Sequence, residues 1–294
     1  MSDRVVAWLL RGLWAGLAFA VWPAITAGLS READAVRTTA AVGSWAVWAA
    51  VLIATLVPAP VGLTVLRVAA PGVLAAVVAA AVSGHPSTVS LALGVAWSAV
   101  VTAAVFAPAT AIVCVNGPAY PNERRFPLAP PGALLLGPIE LAWALLVAVP
   151  PAAALTLADG QWVLGGVLGV LSVPVCVVLG PALHRLSRRW LVFVPAGLVL
   201  HDAASVADPV LFPRPVVESF GPAPIDTDSL DLTQGAPGLA LELRFVEKVP
   251  MVLVRGRSSG EQGSSARLLV TPSRPGRVLA YAAGHNLPVR TAVV

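Results

Sequence analysis

The feature that most constrains this chain is a series of six apolar segments, each of about the length that crosses a lipid bilayer. Roughly 20 apolar residues, rising 1.5 Å each, span a hydrocarbon core about 30 Å thick. Short polar or proline-containing connections separate the segments, and the weakest of these is Pro58-Ala59-Pro60. We predict six spans, with five spans and a re-entrant piece as the alternative. The segments are 6–29, 40–57, 61–82, 88–115, 132–157 and 161–183.

Charge divides the chain into two parts near residue 189. Charged residues make up 12% of the sequence, about half of what soluble domains carry. They number 16 among residues 1–189 and 18 among residues 190–294, which is about twice the density. We therefore predict an α-helical transmembrane bundle over 1–189 and a small water-soluble domain over 190–294. The formal net charge of +4 is small and scattered, so a nucleic-acid partner is not expected.

Arginine placement predicts the orientation in the membrane. Arginines in short loops resist translocation and so mark the cytoplasmic side. If the N-terminus is cytoplasmic, six arginines lie on the cytoplasmic side and two, Arg31 and Arg37, lie in an outside loop. We therefore predict that both termini are cytoplasmic. Lys248 is the only lysine among 19 basic residues, which is typical of a high-GC bacterial genome and favours a bacterial inner membrane. The inside set is Arg4, Arg124, Arg125, Arg185, Arg188 and Arg189.

Three charged residues lie inside the predicted spans, and such residues are functional hypotheses by default. Arg11, Arg67 and Glu140 lie about 8 to 12 Å from the cytoplasmic starts of their helices. Our hypothesis is that Glu140 pairs with one or both arginines and forms a polar intramembrane site. The alternative is that the arginines extend to the headgroups while Glu140 is a structural acid.

Proline and glycine recur inside the spans and allow two further interpretations. Broken helices line substrate sites in transporters, although membrane helices also tolerate proline. Two Gly-x-x-x-Gly spacings, Gly12–Gly16 and Gly165–Gly169, allow close helix packing, either internally or in a homo-oligomer. The intraspan prolines are Pro23, Pro71, Pro108, Pro138, Pro150, Pro151 and Pro174.

The connection from Asn116 to Pro131 is more distinctive than the others. Its five prolines leave no room for a helix. We interpret it as a docking ledge for the C-terminal domain or for a partner; the alternative is a stiff connector whose arginines meet anionic headgroups. The candidate docking residues are Tyr120, Glu123, Arg124, Arg125 and Phe126.

After residue 189 the apolar period becomes two, which is typical of β-strands. A strand over 239–245 places Leu239, Leu241, Leu243 and Phe245 on one face, with polar Glu242 and Arg244 on the other. A loop over 256–266 is predicted between two strands, and a helix begins at Pro275. The other predicted strands are 190–194, 198–201, 210–212, 216–220, 251–255 and 267–271.

This tail resembles the bacterial pleckstrin-homology-like (PH-like) domain. The resemblance rests on residues 189–202, reading Arg-Trp-Leu-Val-Phe-Val-Pro-Ala-Gly-Leu-Val-Leu-His-Asp, on Leu268-Leu-Val-Thr-Pro272, and on the closing helix with Leu287-Pro288. It implies a β-rich α+β fold whose usual role is assembly or binding rather than catalysis. Eukaryotic relatives that read phosphoinositides use basic residues in the first hairpin loop. Here that loop is the uncharged Pro195-Ala196-Gly197, so headgroup recognition by that route is not expected.

Sequence motifs for catalysis, metal binding or cofactor binding are missing from the chain. Cys114 and Cys176 lie in apolar runs, and no Cys-x-x-Cys pair occurs. His201, Asp202 and Ser205 invite a hydrolase interpretation, but adjacent strand residues face opposite sides, which favours a strand-end polar cluster.

We therefore expect a non-enzymatic membrane anchor or scaffold that binds a cytoplasmic protein partner. The expected contact surfaces are the strand edge near Val210–Phe220 and the loop over 256–266. The alternative is a transporter or channel subunit that uses Glu140.

Overall fold

The computed structural model describes residues 2–255 and 258–290. The chain forms two compact units, each built from two stretches of sequence. The helical unit comprises Met1–Gly117 and Glu140–His184, and the β unit comprises Pro118–Ile139 and Arg185–Val294. The predicted single boundary at residue 189 therefore needs correction, because residues 118–139 belong with the C-terminal part.

The helical unit contains the six predicted spans. In the part of the chain that the structure describes, six helices are long and apolar enough to cross a membrane, which confirms six candidate spans rather than five. The second begins at Asp34, several residues before the predicted start, and the third begins at Pro60 in the first helical turn, where proline is tolerated. The helices are α1 Asp3–Gly28, α2 Asp34–Leu56, α3 Pro60–Gly84, α4 Thr88–Phe106, α5 Pro108–Asn116, α6 Pro138–Ala158, α7 Trp162–Pro174 and α8 Gly180–Leu186.

The predicted fourth span, 88–115, is not one helix but two, and Pro108 explains the break. Ala107 before it adopts an extended conformation, because a residue preceding proline avoids the helical region. Pro108 also lacks the N–H that would bond to the Ala104 carbonyl. The Thr110 hydroxyl donates to that carbonyl instead, at 2.7 Å. Helix α4 alone supplies the span, and α5 is a short, largely buried helix after it.

The sixth span is continuous but irregular. A single π-helical turn, Val175–Leu179, joins α7 to α8 directly after Pro174. Proline removes one helical donor, and a π-bulge is one of the ways in which a helix absorbs such a defect.

Tryptophan indoles hold the helices together through backbone carbonyls. The Trp14 indole donates to Trp48 O at 3.0 Å, and the Trp48 indole donates back to Trp14 O at 3.2 Å. Trp97 donates to Leu13 O at 2.9 Å, and Trp143 donates to Val68 O at 3.0 Å. Gly16 leaves room for the Trp97 ring, because a Cβ there would lie 2.7 Å from it. The first Gly-x-x-x-Gly spacing is thus used, at Gly16, inside the unit.

The β unit consists of two four-stranded sheets and one helix. The first sheet has the order β1-β2-β3-β4, and each neighbouring pair is antiparallel. The second has the order β5-β7-β8-β6, with β6 parallel to β8. The elements are β1 Arg124–Pro127, β2 Trp190–Val194, β3 Gly197–His201, β4 Val210–Pro213, β5 Val217–Pro222, β6 Leu230–Asp231, β7 Leu241–Arg255, β8 Ser258–Val270 and α9 Pro275–Gly284.

Strand β1 comes from the connection that sequence analysis treats as a docking ledge or a connector. Arg124 pairs with Phe193, and Pro127 pairs with Trp190. Phe126 is buried and makes edge-to-face contacts with Phe193 and Tyr281, each at a centroid distance of 5.5 Å. Burial of this one aromatic residue fixes the segment in the sheet, so the connection is an integral part of the β unit.

The predicted loop over 256–266 is mostly strand. Strands β7 and β8 form a long hairpin in which Met251 pairs with Gly263 and Leu253 pairs with Glu261. Residues 256 and 257 lie outside the described residues. The first part of β8 is rich in serine and glycine and is held in the hairpin by backbone hydrogen bonds to β7. Because such residues are depleted in strands, the sequence there does not indicate a strand.

One apolar core lies between the two sheets and α9. Phe212 and Phe220 are fully buried, and Phe212 stacks on Phe245 at a centroid distance of 4.7 Å. Helix α9 begins at Pro275 as predicted and buries Val278 and Ala282 in this core. Of the predicted strand face, Leu241, Leu243 and Phe245 lie in the same core, whereas Leu239 precedes β7 and is exposed, which corrects the prediction there.

Candidate functional site

Arg11 has a structural partner inside the helical unit. Its Nε donates to Thr55 O at 3.1 Å, and its Nη2 donates to Leu56 O at 3.3 Å. These carbonyls end α2, where the last turn of a helix lacks internal donors and Pro60 offers no N–H. The guanidinium also lies 4.8 Å from the Trp8 ring centroid. Arg11 therefore caps the C-terminus of α2, where a positive charge is also electrostatically favourable.

Arg67 differs from Arg11 in having no such partner. Its Nε is buried without a hydrogen bond, and its guanidinium lies over the Phe106 ring at 5.7 Å from the centroid. Within residues 2–255 and 258–290, neither Arg67 nor Arg11 forms an ion pair. Within the described residues, neither arginine therefore forms the ion pair with Glu140 that our hypothesis proposes.

Glu140 lies in the first turn of α6 with an exposed side chain. Helix α6 contacts α3 one turn deeper, where Trp143 donates to Val68 O and Val147 packs on Gly72. An acid near a helix N-terminus is favourable on electrostatic grounds alone. The structure therefore brings Glu140 to the α3 side of the unit without joining it to Arg11 or Arg67.

A polar contact that sequence analysis missed lies one turn before Arg67 on α3. The Thr64 hydroxyl lies 2.9 Å from Nδ1 of His184, which belongs to α8. The two residues are 120 positions apart, so their contact gives no sequence signal. Cys114 on α5 is buried in the same helical unit. Thr64, Arg67 and His184 place a hydroxyl, a guanidinium and an imidazole in one region of the helical unit.

The candidate docking residues 120–126 divide between a turn and strand β1. Tyr120 is 78% exposed, and its backbone N–H donates to the Glu123 carboxylate at 3.2 Å. Glu123 also pairs with Arg125 at 3.0 Å, and the Arg125 guanidinium lies over Trp190 at 5.4 Å. Arg124 and Phe126 are in the strand itself. Only Tyr120 keeps the exposed aromatic character that a docking residue needs.

A buried ion pair closes the first sheet, at the position where sequence analysis predicts a strand-end polar cluster. Arg189 donates to both Asp202 oxygens, at 2.6 and 2.8 Å, and to Ala129 O at 2.9 Å. Both side chains are at most 3% exposed. The pair is bidentate, which is the strongest common geometry for arginine and carboxylate.

The neighbouring serine and histidine are engaged separately. The Ser205 hydroxyl lies 2.9 Å from Asp202 Oδ2 and 3.0 Å from Leu232 O. His201 donates from Nδ1 to Arg188 O at 2.9 Å and stacks on Trp190. Ser205 lies in the turn after β3 and contacts Asp202, whereas the His201 ring contacts Arg188 O and Trp190, so the geometry is that of a structural cluster and not of a hydrolase triad.

A second buried carboxylate, Glu242, lies on the outer face of β7. Arg244 and Arg290 contact it at 2.7 and 2.6 Å, and Thr227 and Ser229 donate hydroxyls at 2.8 and 2.7 Å. Burial raises the pKa of Glu242, but the hydrogen bonds from Ser229 and Thr227 and the Arg244 charge outweigh it and lower the pKa from 4.5 to about 2. The group is therefore ionised at neutral pH and holds the segments around residues 227–229 and 290.

Only part of the predicted contact surface over 210–220 is an open strand edge. Strand β4 ends the first sheet, as predicted. The edge of β5 is covered by the chain's own C-terminal segment, since Phe220 exchanges backbone hydrogen bonds with Pro288 and Arg290. The predicted contact surface is therefore reduced to β4, where Leu211 is exposed.

Among the described residues, no group of three or more histidine, cysteine, aspartate or glutamate side chains could hold a metal ion. Comparison of the chain with protein-family models, with curated proteins and with solved structures gives no match.

Proposed function

We propose that the protein is a membrane anchor or scaffold whose β unit, a PH-like domain, binds a cytoplasmic protein partner at a bacterial inner membrane. The observation that carries the proposal is the way the β unit is joined to the helices. It is built from two stretches, so the backbone passes between the units three times, after residues 117, 139 and 184. Three backbone connections tether the β unit to the apolar helices, as an anchor for a partner requires.

The PH-like assignment is supported by two four-stranded sheets around one core with a closing C-terminal helix. The unit departs from a contiguous PH-like domain in one respect, because β1 comes from before the last two spans. The uncharged first hairpin, Val194–Gly197, favours a protein over a lipid headgroup as the partner of this unit.

The proposed contact surface is the edge of β4 with exposed Leu211. An open edge offers unpaired backbone groups to an added strand, while Pro213 shortens it and protects against unspecific pairing. The C-terminal segment already adds to β5 in this manner.

Affinity purification of full-length protein from native membranes, with quantitative mass spectrometry, tests the proposal. We expect a stoichiometric partner that is lost with Leu211→Arg. The matched control is Ile225→Arg, at a fully exposed apolar residue outside any strand. Loss of the partner with both variants, or with neither, would remove the β4 edge from the proposal. The absence of any stoichiometric partner would remove the scaffold itself.

The alternative function, a transporter or channel subunit, has one specific observation in its favour. Helix α4 ends at Phe106, whose ring contacts Arg67, and the helical path is interrupted at Ala107 before α5 begins. Broken helices with nearby charge are found at transporter sites. Substrate-dependent flux in vesicles that falls with Glu140→Gln or Arg67→Gln would support this alternative, and unchanged flux would eliminate it.

A further inference from the structure

Three buried polar atoms of the helical unit lack hydrogen-bond partners: Arg67 Nε, Ser98 Oγ and Thr102 Oγ1. Ser98 and Thr102 are one helical turn apart on α4, and one turn further Phe106 lies under the Arg67 guanidinium. Helices α3 and α4 pack closely, with Val77 against Gly94. The Phe106 contact therefore connects Arg67 to the face of α4 that carries Thr102 and Ser98, and we call this part of the α3–α4 interface the α3–α4 seam.

Neither hydroxyl of the seam makes the hydrogen bond that is usual for its position. A threonine in a membrane helix ordinarily donates to the carbonyl four residues earlier, as Thr156 does to Ala152 O at 2.7 Å. Ser98 is fully buried and Thr102 Oγ1 is buried, yet neither makes such a bond. Buried polar atoms without partners are rare and costly, so they indicate a group that the chain itself does not supply.

The guanidinium determines the charge of that group. Arginine stays protonated at any physiological pH and has five donor N–H groups. Arg11, at a comparable depth, uses its donors on two carbonyls, whereas Arg67 forms no hydrogen bond within the described part of the chain. An unpaired cation beside unpartnered hydroxyls fits an anion with several acceptor oxygens.

We infer that the α3–α4 seam binds a phosphate group, with Arg67 as its charged anchor and Thr102 as a hydroxyl donor. Arg67 is seven residues, or about 10 Å, inside the start of α3, and its side chain reaches Phe106, the last residue of α4. A phospholipid headgroup and a free phosphate share this chemistry. The inference does not depend on the scaffold proposal, because every residue it uses is in the helical unit.

Binding is measured on the full-length protein purified in detergent. The probes are phosphatidylglycerol, followed by native mass spectrometry, and inorganic phosphate, added as a competitor. We expect Arg67→Gln to weaken retention of the bound phosphate group about tenfold to a hundredfold, as loss of a charged hydrogen bond does. Arg67→Lys should restore part of it, and Thr102→Val should weaken it severalfold. The matched control Thr156→Val removes a hydroxyl that already has a partner and should bind as wild type.

The outcomes separate the two sources of phosphate. Saturable phosphatidylglycerol binding that inorganic phosphate does not displace identifies a lipid site, and displacement by phosphate identifies a soluble ligand; both support the inference. Equal binding by wild type, Arg67→Gln and Thr102→Val would overturn it, as would failure of both probes to bind. Should Arg67→Gln not fold, the comparison of Thr102→Val with Thr156→Val decides the question.

Discussion

The two units treat buried charge in opposite ways. In the β unit, Arg189 and Glu242 each meet a side chain of opposite charge and further hydrogen-bond partners. In the helical unit, Arg11 is satisfied by backbone carbonyls and Arg67 is not hydrogen-bonded within the described residues. The strands and connecting segments of the β unit bring acids and bases into contact, whereas apolar helices offer a buried arginine mainly carbonyls and rings. Removing a buried charge of the β unit should therefore lower its stability. In the helical unit, the effect should depend on whether the arginine binds the end of a helix, as Arg11 does, or a ligand, as we infer for Arg67.

The largest expected effect comes from breaking the Arg189–Asp202 pair. Asp202→Asn leaves a buried guanidinium without its counter-charge and should lower the free energy of unfolding of the β unit by about 3–5 kcal/mol. Thermal unfolding followed at Trp190, the tryptophan of the β unit, measures this. The control Asp228→Asn breaks an exposed pair with Arg267 and should change little. Equal effects would contradict the role assigned to burial.

The second effect is a pH dependence due to Glu242. Its pKa in the folded protein is about 2, below the ordinary 4.5, so its contribution to stability is present above about pH 4.5 and is lost as pH falls toward 2. Glu242→Gln should destabilise the β unit by about 2 kcal/mol at pH 7 and flatten this acid limb. Unfolding midpoints between pH 2 and 6 measure it, and a limb that persists in the variant would assign the dependence to other acids.

The third effect tests whether Arg11 acts at the end of α2. Arg11→Gln should destabilise the helical unit by about 1–2 kcal/mol, because two carbonyls lose a charged donor. Arg67→Gln is the matched comparison at a similar depth and should not destabilise ligand-free protein in detergent, since it removes an uncompensated charge. Thermal unfolding of the two variants in one detergent measures the difference, and equal losses would remove the contrast between them.

The smallest effect is expected at the break between α4 and α5. Thr110→Val removes the donor to the Ala104 carbonyl and should cost about 1 kcal/mol or less. Thr26→Val, whose hydroxyl bonds within its own exposed turn, is the control. Hydrogen exchange at residues 104–111 should increase only in the first variant.

The sequence predicts features that depend on local pattern and fails where distant residues meet. Six apolar lengths, the period of two after residue 189 and Pro275 as a helix start depend on neighbouring residues, and the structure agrees with them. The sequence does not indicate which of the intraspan prolines interrupts a helix. That Pro108 does so is visible only in the structure, where the Thr110 hydroxyl bonds to Ala104 O.

Long-range pairing accounts for what the sequence does not reveal. Strand β1 has four residues, two of them arginines, and only its pairing with β2 and the burial of Phe126 make it a strand. The Thr64–His184 contact and the three unpartnered atoms of the α3–α4 seam likewise depend on helix packing. The intramembrane arginines could be selected from sequence, but their surroundings could not.

The pairing of β1 with β2 has a consequence for biosynthesis. Phe126 leaves the ribosome before the last two membrane helices, and its partner Phe193 leaves after them. The sheet can form only after that helical hairpin has inserted and returned the chain to the side it left. Until then β1 and its Phe126 side chain lack the neighbouring strand β2, so completion of the β unit indicates that insertion has succeeded.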